Sequence, residues 1–178
     1  VLILDQRDLG KPFAGGFEKC CGGLLAPDAQ EMLARFGLGL PKTVLAGPQL
    51  FAVRCIDLVS GQQRYYPRHY INVKREAFDR WLVSLLPPQV EALWGANFLG
   101  FSQVSEVVEV SYLHAGQRQK ARTRLLVGAD GALSRVRRGL GPCSAPRSYV
   151  AVQEWFEVSE PLPYFTAAFD PAITDFYA

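Results

Sequence analysis

One stretch of the chain constrains the fold more than any other: Arg124–Arg138, which reads RLLVGADGALSRVRR. Its apolar run, Leu125–Val127, predicts a short strand buried on both faces. The small residues of Gly128–Gly131 predict a tight turn that lets backbone approach another group closely. The run Ala132–Arg138 predicts a short helix, whose first N–H groups carry partial positive charge. A strand, a turn and a helix N-terminus in this order favour a site for a phosphate-rich ligand.

The carboxylate in this turn, Asp130, has two candidate roles. It can accept hydrogen bonds from a sugar hydroxyl of a nucleotide, and Gly131 beside it keeps the backbone accessible to such a ligand. Alternatively, Asp130 only caps the helix that follows, which is the better interpretation of an isolated Gly-x-Asp-Gly. The residues themselves leave both roles open.

The composition is that of an ordinary globular domain. The chain has 178 residues, of which 49% are hydrophobic and 20% charged, which is enough for one domain with a core. The net charge of +2 is too small to indicate a nucleic-acid partner. No apolar run reaches the length of about 18 residues that a membrane span needs, so we expect no transmembrane segment. The four cysteines lack the spacing of a metal site, which favours a reduced, cytoplasmic protein without a bound metal.

The first residues, Val1–Leu4, form an apolar run that predicts a strand and is followed by Asp5. In a dinucleotide-binding fold, an acidic residue that closes the second strand binds the adenosine ribose. Asp5 has the right position for this role, and the alternative is a strand-end aspartate that faces water. Because the apolar run begins at the first residue, we expect the chain to begin inside a domain, after a first strand and a glycine-rich loop.

A glycine-rich segment, Lys11–Gly23, predicts a long loop, and Pro27 opens a helix shortly after it. Gly22 and Gly23 would let the backbone of this loop pass close to a ligand, with the thiol of Cys21 beside it. The alternative is a surface loop with an incidental thiol.

Two strands, Gln49–Leu58 and Gln63–Pro67, are predicted to form a hairpin that turns at Ser60–Gly61. Asn72 then predicts the N-cap of a helix from about Val73 to Leu86. A positive side chain in the first turn of a helix opposes the helix dipole, so Arg75 indicates an anion nearby. Further strands are expected at Val90–Trp94, Phe98–Val104, Glu106–Leu113, Gln117–Thr123, Ser148–Val158 and Phe165–Phe169.

Three of these stretches resemble one group of flavoproteins. The GADG turn followed by Ser134 and Val136 resembles the second flavin-binding motif of the FAD-dependent superfamily typified by p-hydroxybenzoate hydroxylase. The segment Val73–Leu82 resembles the helix start of that superfamily, in which an arginine reaches the flavin side chain or pyrophosphate. The order of loop, Cys21-Gly22-Gly23 and Pro27 is similar to the geranylgeranyl reductase family, with Leu24 in place of a third glycine.

The resemblance implies an α/β fold: a partial FAD-binding domain, Rossmann-like and three-layered, interleaved with a mixed or antiparallel substrate-side sheet. Residues 1–40 and 72–147 would form the FAD-binding domain without its first strand and glycine-rich loop. Residues 41–71 and 148–178 would form the substrate-side sheet, truncated at the C-terminus. Val1–Leu4 and Leu125–Val127 would be strands of one parallel sheet.

The resemblance also implies a function: an FAD-dependent oxidoreductase that reduces carbon–carbon double bonds of an isoprenoid-like or other hydrophobic small molecule. NAD(P)H or another reductant would supply electrons, and contact with a membrane would be peripheral. A flavin-dependent monooxygenase or halogenase is the alternative within the superfamily, and a non-catalytic nucleotide-binding domain is the alternative outside it. Cys21 is the implied catalytic residue. The implied cofactor-binding residues are Asp5, Gly22, Gly23, Arg75, Asp130 and Gly131.

Overall fold

The computed structural model describes residues 1–9, 21–141, 148–154, 156–160, 162–174 and 177. The chain forms two compact units, each of which is discontinuous in sequence. The first unit comprises Val1–Gly16 and Leu86–Val152, and the second comprises Phe17–Leu85 and Gln153–Ala178. Two mixed-topology units with few helices agree with the expected class of fold at a coarse level. The division into a cofactor-binding and a substrate-side domain stays a prediction.

The first unit contains a parallel strand pair and an antiparallel meander. Strand β1 pairs with β5 in parallel, and β6, β7 and β8 form a three-stranded sheet. Side chains alternate along β7, so that Val110 and Tyr112 are buried in a core that also contains Ala96. The elements of this unit are β1 (Leu2–Asp5), β5 (Glu91–Trp94), β6 (Asn97–Val104), β7 (Val107–His114), β8 (Gln117–Thr123) and helix α3 (Arg135–Gly139).

The second unit is built on a four-stranded sheet with the order β2-β4-β3-β9. Strands β3 and β4 form an antiparallel hairpin, and β9 joins the other side of β3 in parallel. Its buried core centres on Val44, Val73 and Phe78. The elements are β2 (Leu24–Leu25), α1 (Pro27–Arg35), a 3-10 helix (Lys42–Val44), β3 (Leu50–Asp57), β4 (Gln63–Asn72), α2 (Arg75–Ser84) and β9 (Phe165–Phe169).

Several predicted elements are confirmed because their local signals are strong. Pro27 is the first residue of α1, and the hairpin has Gly61 in its connection, with φ of +70°. The meander forms with boundaries close to the predicted ones, and β9 spans the predicted Phe165–Phe169. Gly116 likewise lies in the connection between β7 and β8, with φ of +76°.

The predicted strand Leu125–Val127 is wrong, and with it the expectation that it shares a parallel sheet with the first strand. Residues 125–127 are assigned to no strand, and the parallel partner of β1 is β5. Leu126 packs against the core of the first unit, whereas Leu125 and Val127 are 75% and 73% exposed. The apolar run predicted two covered faces, but only one has packing partners among the described residues.

Two further expectations are corrected. Asn72 does not cap a helix: it is the last residue of β4, and its side-chain amide donates to the carbonyl of Pro48. Helix α2 begins at Arg75 after Lys74, without a side-chain cap. The expected strand Ser148–Val158 is irregular wherever it is described, with Val150 95% exposed. Alternation alone does not produce a strand when no neighbouring strand supplies hydrogen bonds.

None of the helices in the described part of the chain is long and apolar enough to cross a membrane.

Candidate functional site

Four of the predicted site residues lie together in the second unit. The guanidinium Nη1 of Arg75 lies 3.5 Å from the sulfur of Cys21, although 54 positions separate them in sequence. The backbone N–H of Gly23 donates to the same sulfur, also at 3.5 Å. The glycine loop and the start of α2 therefore form one cluster, Cys21-Gly22-Gly23 with Arg75, hereafter the Cys21–Arg75 cluster.

A backbone clasp holds the loop of this cluster against the segment before α2. The carbonyl of Gly23 accepts a hydrogen bond of 2.8 Å from the N–H of Val73. Gly23 has φ of +71°, and a Cβ at this position would lie only 2.0 Å from the carbonyl oxygen of Val73. Glycine is therefore required at 23 by close backbone approach. Gly22 is different, because a Cβ there would meet no described atom within 4 Å.

The guanidinium of Arg75 is held by an acid on the same helix. Its Nε donates to Oδ1 of Asp79 at 2.7 Å, and the two side chains are 31% and 10% exposed. Burial lowers the pKa of Arg75, but the hydrogen bonds to Asp79 and Cys21 outweigh that effect and leave the pKa above its ordinary value. Arg75 is therefore a permanent positive charge in the first turn of α2.

The cluster has the chemistry of an anion-binding site. Nε and Nη1 of Arg75 are engaged, while Nη2 has no hydrogen-bond acceptor among the described residues. A planar guanidinium with a free donor edge suits a phosphate or carboxylate. Arg75, paired through Nε with Asp79, therefore keeps a donor for an anionic ligand beside the clasped glycine loop. Residues 10–20 of the predicted glycine-rich loop, including Cys20, lie outside the described residues.

The first unit holds the predicted ribose acid, Asp5, at the end of β1. Its Oδ1 accepts from the backbone N–H of Arg7 at 2.8 Å, and its Oδ2 accepts from the Arg7 guanidinium at 2.9 Å. The two side chains are only 25% and 30% exposed. Sequence reasoning missed Arg7 as the partner of Asp5, although an acid and an arginine two positions apart after a strand are a sign of such a turn. A ribose hydroxyl would have to share this carboxylate with Arg7.

The structure gives Asp130 the geometry of the helix-capping alternative. Its Oδ1 accepts from the hydroxyl of Ser134 at 2.5 Å, and its Oδ2 accepts from the backbone N–H groups of Arg135 and Val136 at 2.6 and 3.2 Å. Burial raises the pKa of Asp130, but these hydrogen bonds outweigh it and hold the pKa below its ordinary value. Gly131 adopts φ of +80°. This carboxylate stabilises the start of α3 whether or not it also meets a sugar.

The group that approaches the Gly128–Gly131 turn closely is a side chain of the protein itself. A Cβ at Gly128 would lie 2.8 Å from the Cβ of Val136, so the glycine allows the turn to pack on α3. Val136 itself is buried. The sequence predicted that small residues here allow close approach but not that a helix side chain fills the space.

An aromatic trough lies on one face of the sheet in the second unit. Two adjoining cavities of about 560 and 380 Å³ share Cys55, Tyr66 and Phe169 as lining residues. Tyr66 is 48% exposed and faces this trough. Other lining residues include Arg64, Arg68, Tyr70, Phe165 and Tyr177. The trough offers apolar rings with two arginines, which suits a hydrophobic ligand.

The proteins that are similar to this chain in sequence carry a name that describes no activity. No protein-family model matches the chain. Protein CbrA of Shigella sonnei is 45% identical over 178 residues, which is 100% of this chain and 50% of that protein. Protein CbrA of Escherichia coli O1:K1 is also 45% identical, with 48% of its length matched. The chain spans about half the length of the curated relatives it matches.

Solved structures identify the fold. A geranylgeranyl bacteriochlorophyll reductase-like protein from Thermoplasma acidophilum matches with a TM-score of 0.69 at 16% identity, over 94% of this chain and 43% of that one. The p-nitrophenol 4-monooxygenase PnpA from Pseudomonas putida matches with a TM-score of 0.56 at 18% identity, over 79% and 37% of the two chains. Aklavinone-11 hydroxylase, solved with FAD and aklavinone, matches with a TM-score of 0.56 at 18% identity, over 78% and 30%.

These likenesses show that the chain shares the fold of a reductase-like protein, a monooxygenase and a hydroxylase, in agreement with the expected fold at a coarse level. They do not distinguish a reductase from a monooxygenase, because both kinds of protein match.

Proposed function

We propose that this chain is part of an FAD-dependent oxidoreductase and that the Cys21–Arg75 cluster contacts the cofactor. The observation that carries the proposal is the free donor edge of the Arg75 guanidinium beside the clasped glycine loop. Asp79 balances the charge of Arg75 in the first turn of α2, and the Nη2 donor of Arg75 remains available for an anionic ligand. The fold likeness to proteins that include an FAD-bound hydroxylase supports the identity of that anion.

Cys21 is the residue best placed to act on or near the reacting groups. Its sulfur lies within hydrogen-bond distance of Arg75 and of the Gly23 N–H, so the thiol faces the same region as the donor edge. Asp5, Asp130 and Gly131, in the first unit, remain the proposed contacts for the rest of the cofactor. A Cβ at Gly22 would meet no described atom within 4 Å, which supports a backbone that is open to a ligand there.

We assign the reaction to reduction of a carbon–carbon double bond in a hydrophobic, isoprenoid-like small molecule. FAD, when bound and reduced, would supply the hydride for one carbon and solvent the proton for the other, and NAD(P)H or another reductant would then reduce the oxidised flavin again. The Cys-Gly-Gly order and the likeness to a geranylgeranyl reductase-like protein support this branch. The aromatic trough around Tyr66 and Phe169 supports a hydrophobic substrate. Such a substrate would bring a cytoplasmic protein to a membrane surface without a spanning segment.

A flavin-dependent monooxygenase is the second candidate, favoured by the fold likeness to PnpA and aklavinone-11 hydroxylase. The two functions differ in their use of oxygen. The full-length protein should be reduced by NAD(P)H or dithionite, and the reduced flavin should be reoxidised by an isoprenoid alcohol or lipid under nitrogen. Reoxidation only by oxygen, with a hydroxylated product, would replace the reductase with the monooxygenase. FAD binding without either turnover would leave a non-catalytic domain.

A further inference from the structure

Helix α2 contains a buried carboxylate. Asp79 is 8% exposed, and it is the only acidic residue that is buried in the described part of the chain. Burial of a carboxylate is unfavourable unless a cation and further hydrogen bonds compensate for it. Asp79 lies one helical turn after Arg75, so the two side chains share a face. Helix formation alone therefore does not explain why an aspartate occupies this buried position.

The contact between the two side chains fixes the orientation of the guanidinium. Oδ1 of Asp79 accepts from Nε of Arg75 at 2.7 Å, which occupies one edge of the planar group. The remaining edge carries Nη1, which lies 3.5 Å from the Cys21 sulfur, and Nη2, which has no described acceptor. Because a guanidinium is planar, an anchored Nε limits its rotation. The outer edge is thus held at the Cys21 loop.

We propose that Asp79 is a positioning residue that holds Arg75 by Nε so that its Nη edge meets an anionic group of the flavin nucleotide. This inference rests on the proposed function and deepens it. A bidentate contact between guanidinium and phosphate depends on the orientation of both N–H groups, so a freely rotating Arg75 would bind the anion less well. Asp79 acts through Arg75 and does not itself touch the cofactor.

The same helix provides a matched control. Glu76 accepts from Nε of Arg80 at 2.7 Å, which is the same spacing in sequence and the same distance. The Glu76 side chain is 38% exposed, compared with 10% for Asp79. Removing the Glu76 charge therefore changes one ion pair of α2 while the Cys21–Arg75 cluster stays intact.

The test is a titration of FAD against the full-length apo-protein, with the melting temperature of each apo-variant measured in parallel. Asp79→Asn keeps the shape and one acceptor oxygen but removes the charge, and it should weaken FAD binding about 3- to 10-fold. Glu76→Gln should change binding less than about twofold. Arg75→Lys keeps the charge at a partly exposed position, but its single nitrogen cannot contact Asp79 and also present a planar pair of N–H groups to an anion. It should weaken FAD binding at least as much as Asp79→Asn.

A double-mutant cycle separates positioning from a purely structural role. If Asp79 acts through Arg75, the double variant of Arg75→Gln and Asp79→Asn should bind FAD no more weakly than Arg75→Gln alone. Unchanged affinity of Asp79→Asn, or a loss that persists in full in the Arg75→Gln background, would overturn the positioning role. Absence of FAD binding by the wild-type protein would instead overturn the proposed function.

Discussion

The clasp between Gly23 and Val73 predicts an unusually costly glycine-to-alanine substitution. Gly23→Ala places a Cβ 2.0 Å from the carbonyl oxygen of Val73, a backbone atom that cannot swing aside. The left-handed conformation, with φ of +71°, costs an L-residue about 1–2 kcal/mol. Relieving the clash would also break the 2.8 Å hydrogen bond from Val73, worth about 1 kcal/mol net. We therefore expect Gly23→Ala to lower the free energy of unfolding by roughly 2–3 kcal/mol.

The matched control for this substitution is Gly37→Ala. Gly37 follows α1 with φ of +68°, close to the value at Gly23, but a Cβ there would meet no described atom within 4 Å. It should therefore show only the conformational cost of about 1–2 kcal/mol. Both changes restrict the unfolded chain equally, so the difference between them isolates the clasp. Urea unfolding of the full-length variants measures it, and equal losses at the two positions would refute the close approach.

Three further predictions follow from the described contacts. Asp130→Asn should destabilise the protein by about 1 kcal/mol at neutral pH, since it removes charge from the cap of α3. The folded-state pKa of Asp130 lies below its ordinary value of 3.8. The stability that the charged carboxylate contributes is therefore present above pH 3.8 and is lost as the pH falls through the folded-state pKa. The free energies of unfolding of wild type and Asp130→Asn should accordingly converge at acid pH. Gly128→Ala should lower the free energy of unfolding by about 1–3 kcal/mol, because the new methyl group overpacks against Val136. Adding Val136→Ala to that variant should restore part of the lost stability, which thermal melts measure. Cys21→Ser should alter the flavin absorption spectrum or turnover, whereas Cys143→Ser, at a position outside the described residues, should do neither.

Local features of the fold were predictable because single residues determine them. Pro27 fixes the start of α1, and a glycine in the connection of β3 and β4 allows the positive φ that the turn needs. The strand expected at Leu125–Val127 was not predictable in the same way, because a strand depends on partners elsewhere in the chain. Its residues are apolar, but two of the three remain exposed.

The candidate site shows the same division between local and long-range information. Motif resemblance singled out Cys21 and Arg75 separately, but their contact across 54 positions follows from the fold of the second unit. Asp79 belongs to the segment Val73–Leu82, yet its burial and its contact with Nε of Arg75 depend on how α2 packs. The sequence leaves open whether Asp130 binds a sugar hydroxyl or caps the following helix. Its hydrogen bonds to Ser134 and to the α3 backbone show that it caps the helix.

The measurement that tests the central claim most directly is FAD binding by the full-length protein, compared between wild type and Arg75→Ala. The wild type should purify yellow and take up one FAD per chain when the apo-protein is titrated. Arg75→Ala should raise the dissociation constant about 10- to 100-fold, as expected for loss of a charge-assisted contact of about 1.5–3 kcal/mol. Its melting temperature without FAD should fall, because the buried Asp79 loses its cation, so affinity is measured at a temperature where both proteins are folded. Arg35→Ala, which removes an exposed arginine of α1, should leave the dissociation constant unchanged. A protein that binds no FAD, or one whose affinity is the same with and without Arg75, would contradict the account.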